Sequence, residues 1–149
     1  MMKTLMTAMK ASISEVLEKM FYLPVEFKES LSSDNMELIK NDITKVCRLK
    51  VTGSFSAVFL LFIPDTLLLE MTQNFMGEAE ENCTEEYLNG TLKEVLNMII
   101  GNALKTLKTS KPPSLDIPEI LNKDVKNIQP DSSIIAETTD GTMIMKIEL

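Results

Sequence analysis

The sequence predicts an α+β protein: a two-layer sandwich in which a largely antiparallel sheet is covered by helices. Three observations predict it. Two long segments, Lys3 to Tyr22 and Thr84 to Thr109, repeat apolar residues at helical spacing. Short apolar or alternating runs are joined by turn residues: Ile43 to Val51 and Ser54 to Ile63 across Thr52-Gly53, then Ser133 to Thr138 and Thr142 to Leu149 across Asp140-Gly141. The length, 149 residues, suits one domain over 1–149, which hides roughly 68–70% of its unfolded-chain surface. With 44% hydrophobic and 25% charged residues, wholesale disorder is excluded.

In the first helix, Met6, Met9, Ile13, Val16, Leu17, Met20 and Phe21 share one face, and Pro24 stops the run. Val25 to Lys28 is a short strand candidate, and the polar stretch Glu29 to Asn41 reads as loop. Ser54 to Ile63 is so continuously apolar that it belongs at the centre of the sheet, covered. Pro64 opens a second helix, with Asp65 or Thr66 at its start and Gly77 closing it. Glu78 to Glu86 is an acidic loop, read first as a solvated surface run. Ser110 to Pro118 forms a loop after the third helix, and Ile120 to Pro130 is ambiguous. The last run alternates Met143, Met145 and Ile147, which suits one buried face of a strand at the sheet edge.

The absences narrow the chemistry. The chain has no His, which excludes Ser-His-Asp and Cys-His catalysis and most zinc sites. Cys47 and Cys83 lack CxxC spacing and read as reduced and structural. No glycine-rich nucleotide loop is present. A net charge of −7 argues against nucleic acid. The longest apolar run, Ala57 to Ile63, is far short of a membrane span, and Met1 to Lys10 does not read as a signal peptide. The expected compartment is the cytoplasm. Any chemistry must come from carboxylates, amides, hydroxyls or lysines.

The first and third helices echo each other at an offset of 79 residues (94 − 15): Ile13 aligns with Leu92, Val16 with Val95, Leu17 with Leu96, and Met20 with Ile99. The echo suggests a pseudo-twofold internal repeat, although any two core-facing helices share a 3.6-residue apolar period. On the third helix, Leu92, Val95, Leu96, Ile99, Ile100, Ala103 and Leu107 form the apolar stripe. Glu94, Asn97, Gly101, Lys105 and Lys108 lie opposite. Glu94 and Asn97, three residues apart, are neighbours on that outer face. A mid-helix glycine costs roughly 1 kcal/mol relative to alanine. Gly101 therefore serves either tight packing inside the molecule or the close approach of another protein.

The run Thr91-Leu92-Lys93-Glu94-Val95-Leu96-Asn97-Met98-Ile99-Ile100-Gly101-Asn102-Ala103 resembles the CheX/CheC/FliY family of chemotaxis phosphatases, whose helix reads roughly E-x-x-N-M-I-x-G-N-A. The Gly53 turn, the apolar strand, the Pro64-started helix, Gly77 and the first-helix run Glu15 to Met20 follow the family's order. The resemblance implies a phosphatase acting on the aspartyl phosphate of a CheY-like response regulator. Asn97 would orient the attacking water and Glu94 would hold the regulator's lysine. Met98, Gly101 and Lys105 would belong to the docking surface. Mg²⁺ would be held by the regulator, with no metal site or other cofactor of the chain's own. A homodimer is also implied. Two departures stand out: Gly90 replaces a frequent acidic residue, and Glu18 stands where a second active Asn would be, so a single site is expected. The alternatives are a non-catalytic module that binds a response regulator or flagellar-switch component through the same helix face, and a structural subunit whose ExxN is accidental.

Overall fold

The computed structural model describes residues 1–29, 44–121 and 132–149. The expected loop after Glu29 and all but the first two residues of Ile120 to Pro130 lie outside them. In chain order the elements are helix α1 (Met2–Phe21), strands β1 (Glu26–Lys28), β2 (Thr44–Thr52) and β3 (Ala57–Pro64), and helix α2 (Asp65–Met76). A short 3₁₀ turn (Glu80–Asn82) leads into helix α3 (Glu85–Thr106). Strands β4 (Ser114–Leu115), β5 (Glu119–Leu121), β6 (Ser133–Thr138) and β7 (Gly141–Glu148) complete the chain.

The strands form one sheet in the order β1-β6-β7-β3-β2-β4, with β5 also paired to β2. Every pairing is antiparallel. β3 is central, as its continuous apolar composition predicts. Alternation then divides the sheet into two faces. Cys47, Leu49, Phe59, Leu61, Ile63, Ile134, Met143, Met145 and Ile147 join the buried side chains of all three helices in the main core. Val46, Phe62, Ile135 and Ile144 point the other way and form a smaller cluster with Leu60 and Leu121. The two-layer α+β sandwich is as expected.

The terminal strand is not an edge. β7 lies between β6 and β3, in register from Val58↔Glu148 to Phe62↔Ile144 on one side and from Ser133↔Lys146 to Thr138↔Gly141 on the other. Its alternating Met143, Met145 and Ile147 are buried as expected, but its backbone groups are taken by two neighbours. Two apolar clusters, one on each face, hold it there.

Smaller differences have local causes. On α1, Leu5 and Ser12 are buried, whereas Met6 is only half-buried and Met20 is 43% exposed, so the real stripe lies slightly to one side of the expected one. The helix ends at Tyr22, which takes the left-handed conformation (φ 58°) while Leu23 N–H donates to Leu17 O at 3.0 Å. Pro64 ends β3 and precedes α2 instead of lying within its first turn, and Gly77 caps that helix at φ 66°. α3 stops at Thr106, where the threonine hydroxyl donates to Ala103 O at 2.8 Å and Leu107 turns extended to pack on the core. The expected loop Ser110 to Pro118 contains the short strand β4.

The β6–β7 hairpin turns on Thr139-Asp140, one residue earlier than Asp140-Gly141, and Gly141 opens β7 at φ 151°. Thr138 Oγ1 donates to Gly141 O at 2.8 Å. A Cβ on Gly141 would sit 3.4 Å from Leu67 Cβ. Side chains disfavour this backbone region, so Gly141→Ala is expected to cost about 1–3 kcal/mol. A urea midpoint equal to wild type would refute that.

Candidate functional site

α3 is built to present two faces. Thr84 caps it by accepting from Tyr87 N–H at 3.3 Å, and Glu85 and Glu86 lie in its first turn. There, negative charge complements the helix dipole, so the last part of the acidic run stabilises the helix start. Lys45 on β2 pairs with Glu85. Thr91, Leu92, Val95, Leu96, Ile99, Ile100, Ala103 and Leu104 are buried. Fully burying each large apolar side chain contributes about 1.5–3 kcal/mol. With that face fixed, Glu94 and Lys105 are exposed, and Asn97, Met98 and Gly101 are half-buried.

These residues line one groove. It has a volume of about 410 Å³ and runs between α3 and α1. Glu94, Asn97, Met98, Gly101, Asn102 and Lys105 form the α3 wall, and Glu15, Val16, Lys19 and Met20 the α1 wall. All five site residues expected from the sequence therefore meet in one place. Among the described residues, neither the Glu94 carboxylate nor the Asn97 amide makes a hydrogen bond or ion pair. Both are free to meet a partner. Gly101 has no packing reason: a Cβ there would find nothing within 4 Å.

The α1 wall was missed by sequence reasoning. The spacing of Met20 predicts a core position, but it is 43% exposed and lines the groove. Glu15, which aligns with Glu94 in the helix echo, is engaged: Lys19 Nζ reaches its Oε1 at 3.1 Å and Asn102 Nδ2 donates to its Oε2 at 3.3 Å. The Asn102 bond first, then Lys19, hold this carboxyl below the usual range. Asn102 also donates to Ser12 Oγ at 3.2 Å, and the buried Ser12 hydroxyl donates to Ile99 O, a seam across the helix pair. The signal for Asn102 was present in the Gly101-Asn102-Ala103 run, but nothing in the run names its partners.

Elsewhere the chemistry is quiet. Burial pushes the Cys47 thiol up to about 11, which makes it a poor nucleophile. Among the described residues no group of three or more Asp, Glu, Cys or His side chains is placed to hold a metal ion, and no helix is long and apolar enough to cross a membrane.

A helix layer thus covers one face of an antiparallel sheet, and a Glu-x-x-Asn face without partners among the described residues lines an open groove. The family model for chemotaxis phosphatase CheX matches residues 46–137, and the chain belongs to that family. Solved structures agree on the fold. A chemotaxis protein CheX from Vibrio vulnificus is 18% identical with a TM-score of 0.72, over 96% of this chain and 97% of that one. One from Desulfovibrio desulfuricans is 14% identical with a TM-score of 0.72, over 97% and 98%. A chain of the CheX–CheY–BeF3–Mg²⁺ complex from Borrelia burgdorferi is 15% identical with a TM-score of 0.70, over 97% of each chain. Comparison with curated proteins gives no match.

Two outcomes follow from this geometry. Gly101→Ala is expected to raise stability by about 0.5–1 kcal/mol, because the new methyl meets open space and alanine favours the helix; a lower melting temperature would reveal an unseen packing contact. In native protein at pH 8, a thiol reagent is expected to modify half-buried Cys83 readily and Cys47 only after denaturation. Equal native rates for both would contradict the placement of Cys47.

Proposed function

We propose that this chain dephosphorylates a CheY-like response regulator, hydrolysing its aspartyl phosphate. The observation that carries the reading is the unpaired Glu94/Asn97 pair on the outward face of α3. Family membership and the fold shared with the Borrelia burgdorferi CheX–CheY complex support it.

An aspartyl phosphate is an activated acyl phosphate, so the remaining task is to place one water in line with the bond that breaks. The Asn97 amide carries both a donor and an acceptor and does not titrate, so it can hold that water without a histidine base. As water attacks phosphorus, the bond to the aspartyl oxygen breaks. The regulator recovers its carboxylate, and inorganic phosphate retains the water's oxygen. Glu94 pairs with the regulator's lysine, which fixes register across a partly desolvated contact. Met98, Gly101 and Lys105 form the surrounding surface, and Gly101 allows close backbone approach. Mg²⁺ belongs to the regulator in this scheme.

In the same reading, residues 1–149 act as one CheX-like domain in the cytoplasm. The strand order supports a duplicated origin, since one longer strand and then a short outer strand flank the central β3–β7 pair on each side: β6 and β1 on one, β2 and β4 on the other. A homodimer joined through sheet edges would use β1, or β4 and β5, because β7 is interior.

Asn97→Ala is expected to slow dephosphorylation by about 10²-fold, ~2.7 kcal/mol at the barrier, with regulator affinity nearly unchanged. Glu94→Ala is expected to weaken binding and lower the rate as a consequence. Phosphate release from regulators phosphorylated in vitro, alongside binding to their BeF3 forms, measures both. Tight binding by wild type without any change in phosphoryl lifetime would favour the binding-only module; an Asn97→Ala variant as fast as wild type would remove Asn97 from the site.

A further inference from the structure

Two carboxylates line the groove, one on each wall, and the phosphatase reading needs only one of them. Glu94 is unpaired; Glu15 has one contact on each oxygen, Lys19 on Oε1 and Asn102 on Oε2. The sequence echo aligns these two glutamates and sets Glu18 against Asn97. A regulator lysine captured by Glu15 would dock in a register set by α1, whose residue three further on is Glu18, a carboxylate in place of the Asn97 amide. That complex could not position water, and its charge would repel the phosphate. An exposed lysine four residues along the helix is a weak guard, since such pairs exchange readily with water and with a competing cation. The amide is a better one. Asn102 is anchored on a Ser12 hydroxyl that is 2% exposed and itself donates to the Ile99 carbonyl, so its rotamer is fixed before any partner arrives.

We infer that Asn102 is a positioning residue: by donating to Ser12 Oγ and Glu15 Oε2 it keeps the α1 carboxylate occupied, so that the groove offers a regulator's lysine one free carboxylate, Glu94, and one docking register. The lowered Glu15 carboxyl, with Asn102 as its main cause, agrees with this arrangement. The inference rests on the phosphatase reading for its consequence but not for the hydrogen bond itself.

The two can be tested separately. In the free wild-type chain, the Asn102 side-chain amide resonances are expected to shift as Glu15 is protonated on acidification. Glu94, Lys19 and Lys105 are the other charged groups lining the groove, and Glu15→Gln is expected to abolish the shift. Resonances that do not move, or that move equally in Glu15→Gln, overturn the inference whatever the enzyme does. In steady-state dephosphorylation, Asn102→Ala opens an unproductive register that competes with the productive one. Unproductive binding lowers kcat and KM by the same factor, about twofold if the two registers bind equally, and leaves kcat/KM unchanged. The double variant Asn102→Ala/Glu15→Gln is expected to restore both constants. A fall in kcat/KM that the double variant does not restore would make Asn102 a structural tie only and overturn the inference. A wild-type protein that dephosphorylates no regulator would sink the phosphatase reading while the amide titration still stood.

Discussion

When Leu92, Val95, Leu96, Ile99 and Ile100 sink into the core, helix geometry leaves Glu94 and Asn97 no direction but outward. That burial is the constraint on which the remainder depends. Each of those five apolar side chains is 0% exposed, so rotating α3 about its axis would expose several of them at about 1.5–3 kcal/mol each. The orientation of the polar face is therefore fixed by the apolar one. A site held this way needs no hydrogen bonds to orient it, and its amide and carboxylate are left available.

The sheet makes that burial possible. β3 and β7 lie at its centre and present Phe59, Leu61, Ile63, Met143, Met145 and Ile147 toward the helices. The central strands are apolar on both faces, one packed in the main core and one in the smaller cluster. α1 packs beside α3 through Ile13, Val16 and Leu17, and the seam of Ser12, Asn102 and Glu15 ties the two helices at the level of the groove. The groove is thus the outer side of a helix pair whose inner side is core.

The same helix pair explains why an acidic chain without histidine is suited to the chemistry proposed for it. The reactive bond, the metal and a lysine would all be supplied by the partner, and the chain would supply an amide, a carboxylate and a surface that allows close approach. Gly101 fits such a division of labour. It weakens the helix, and among the described residues no packing contact requires it.

Much of this was legible in the sequence, because apolar periodicity is a direct record of which face is buried. The stripe on α3, the alternation in β7 and the outward position of Glu94 follow from spacing, and the central place of β3 from its unbroken apolar run. The structural reading of Cys47 agrees with its burial, which makes it poorly reactive. What spacing cannot encode is which elements become neighbours. The last strand carries the alternation of an edge as readily as that of an interior strand, and only long-range pairing with β3 placed it inside. Met20 has the spacing of a core residue, but the buried stripe of α1 lies slightly to one side of the expected one, so Met20 lines the groove. Glu15 looked like any surface glutamate until α1 and α3 met and Asn102, 87 residues away, closed on it. Local sequence determined which faces are wet and which are dry; tertiary structure alone decided which wet faces look at each other, because contacts between distant residues depend on how the helices and strands dock.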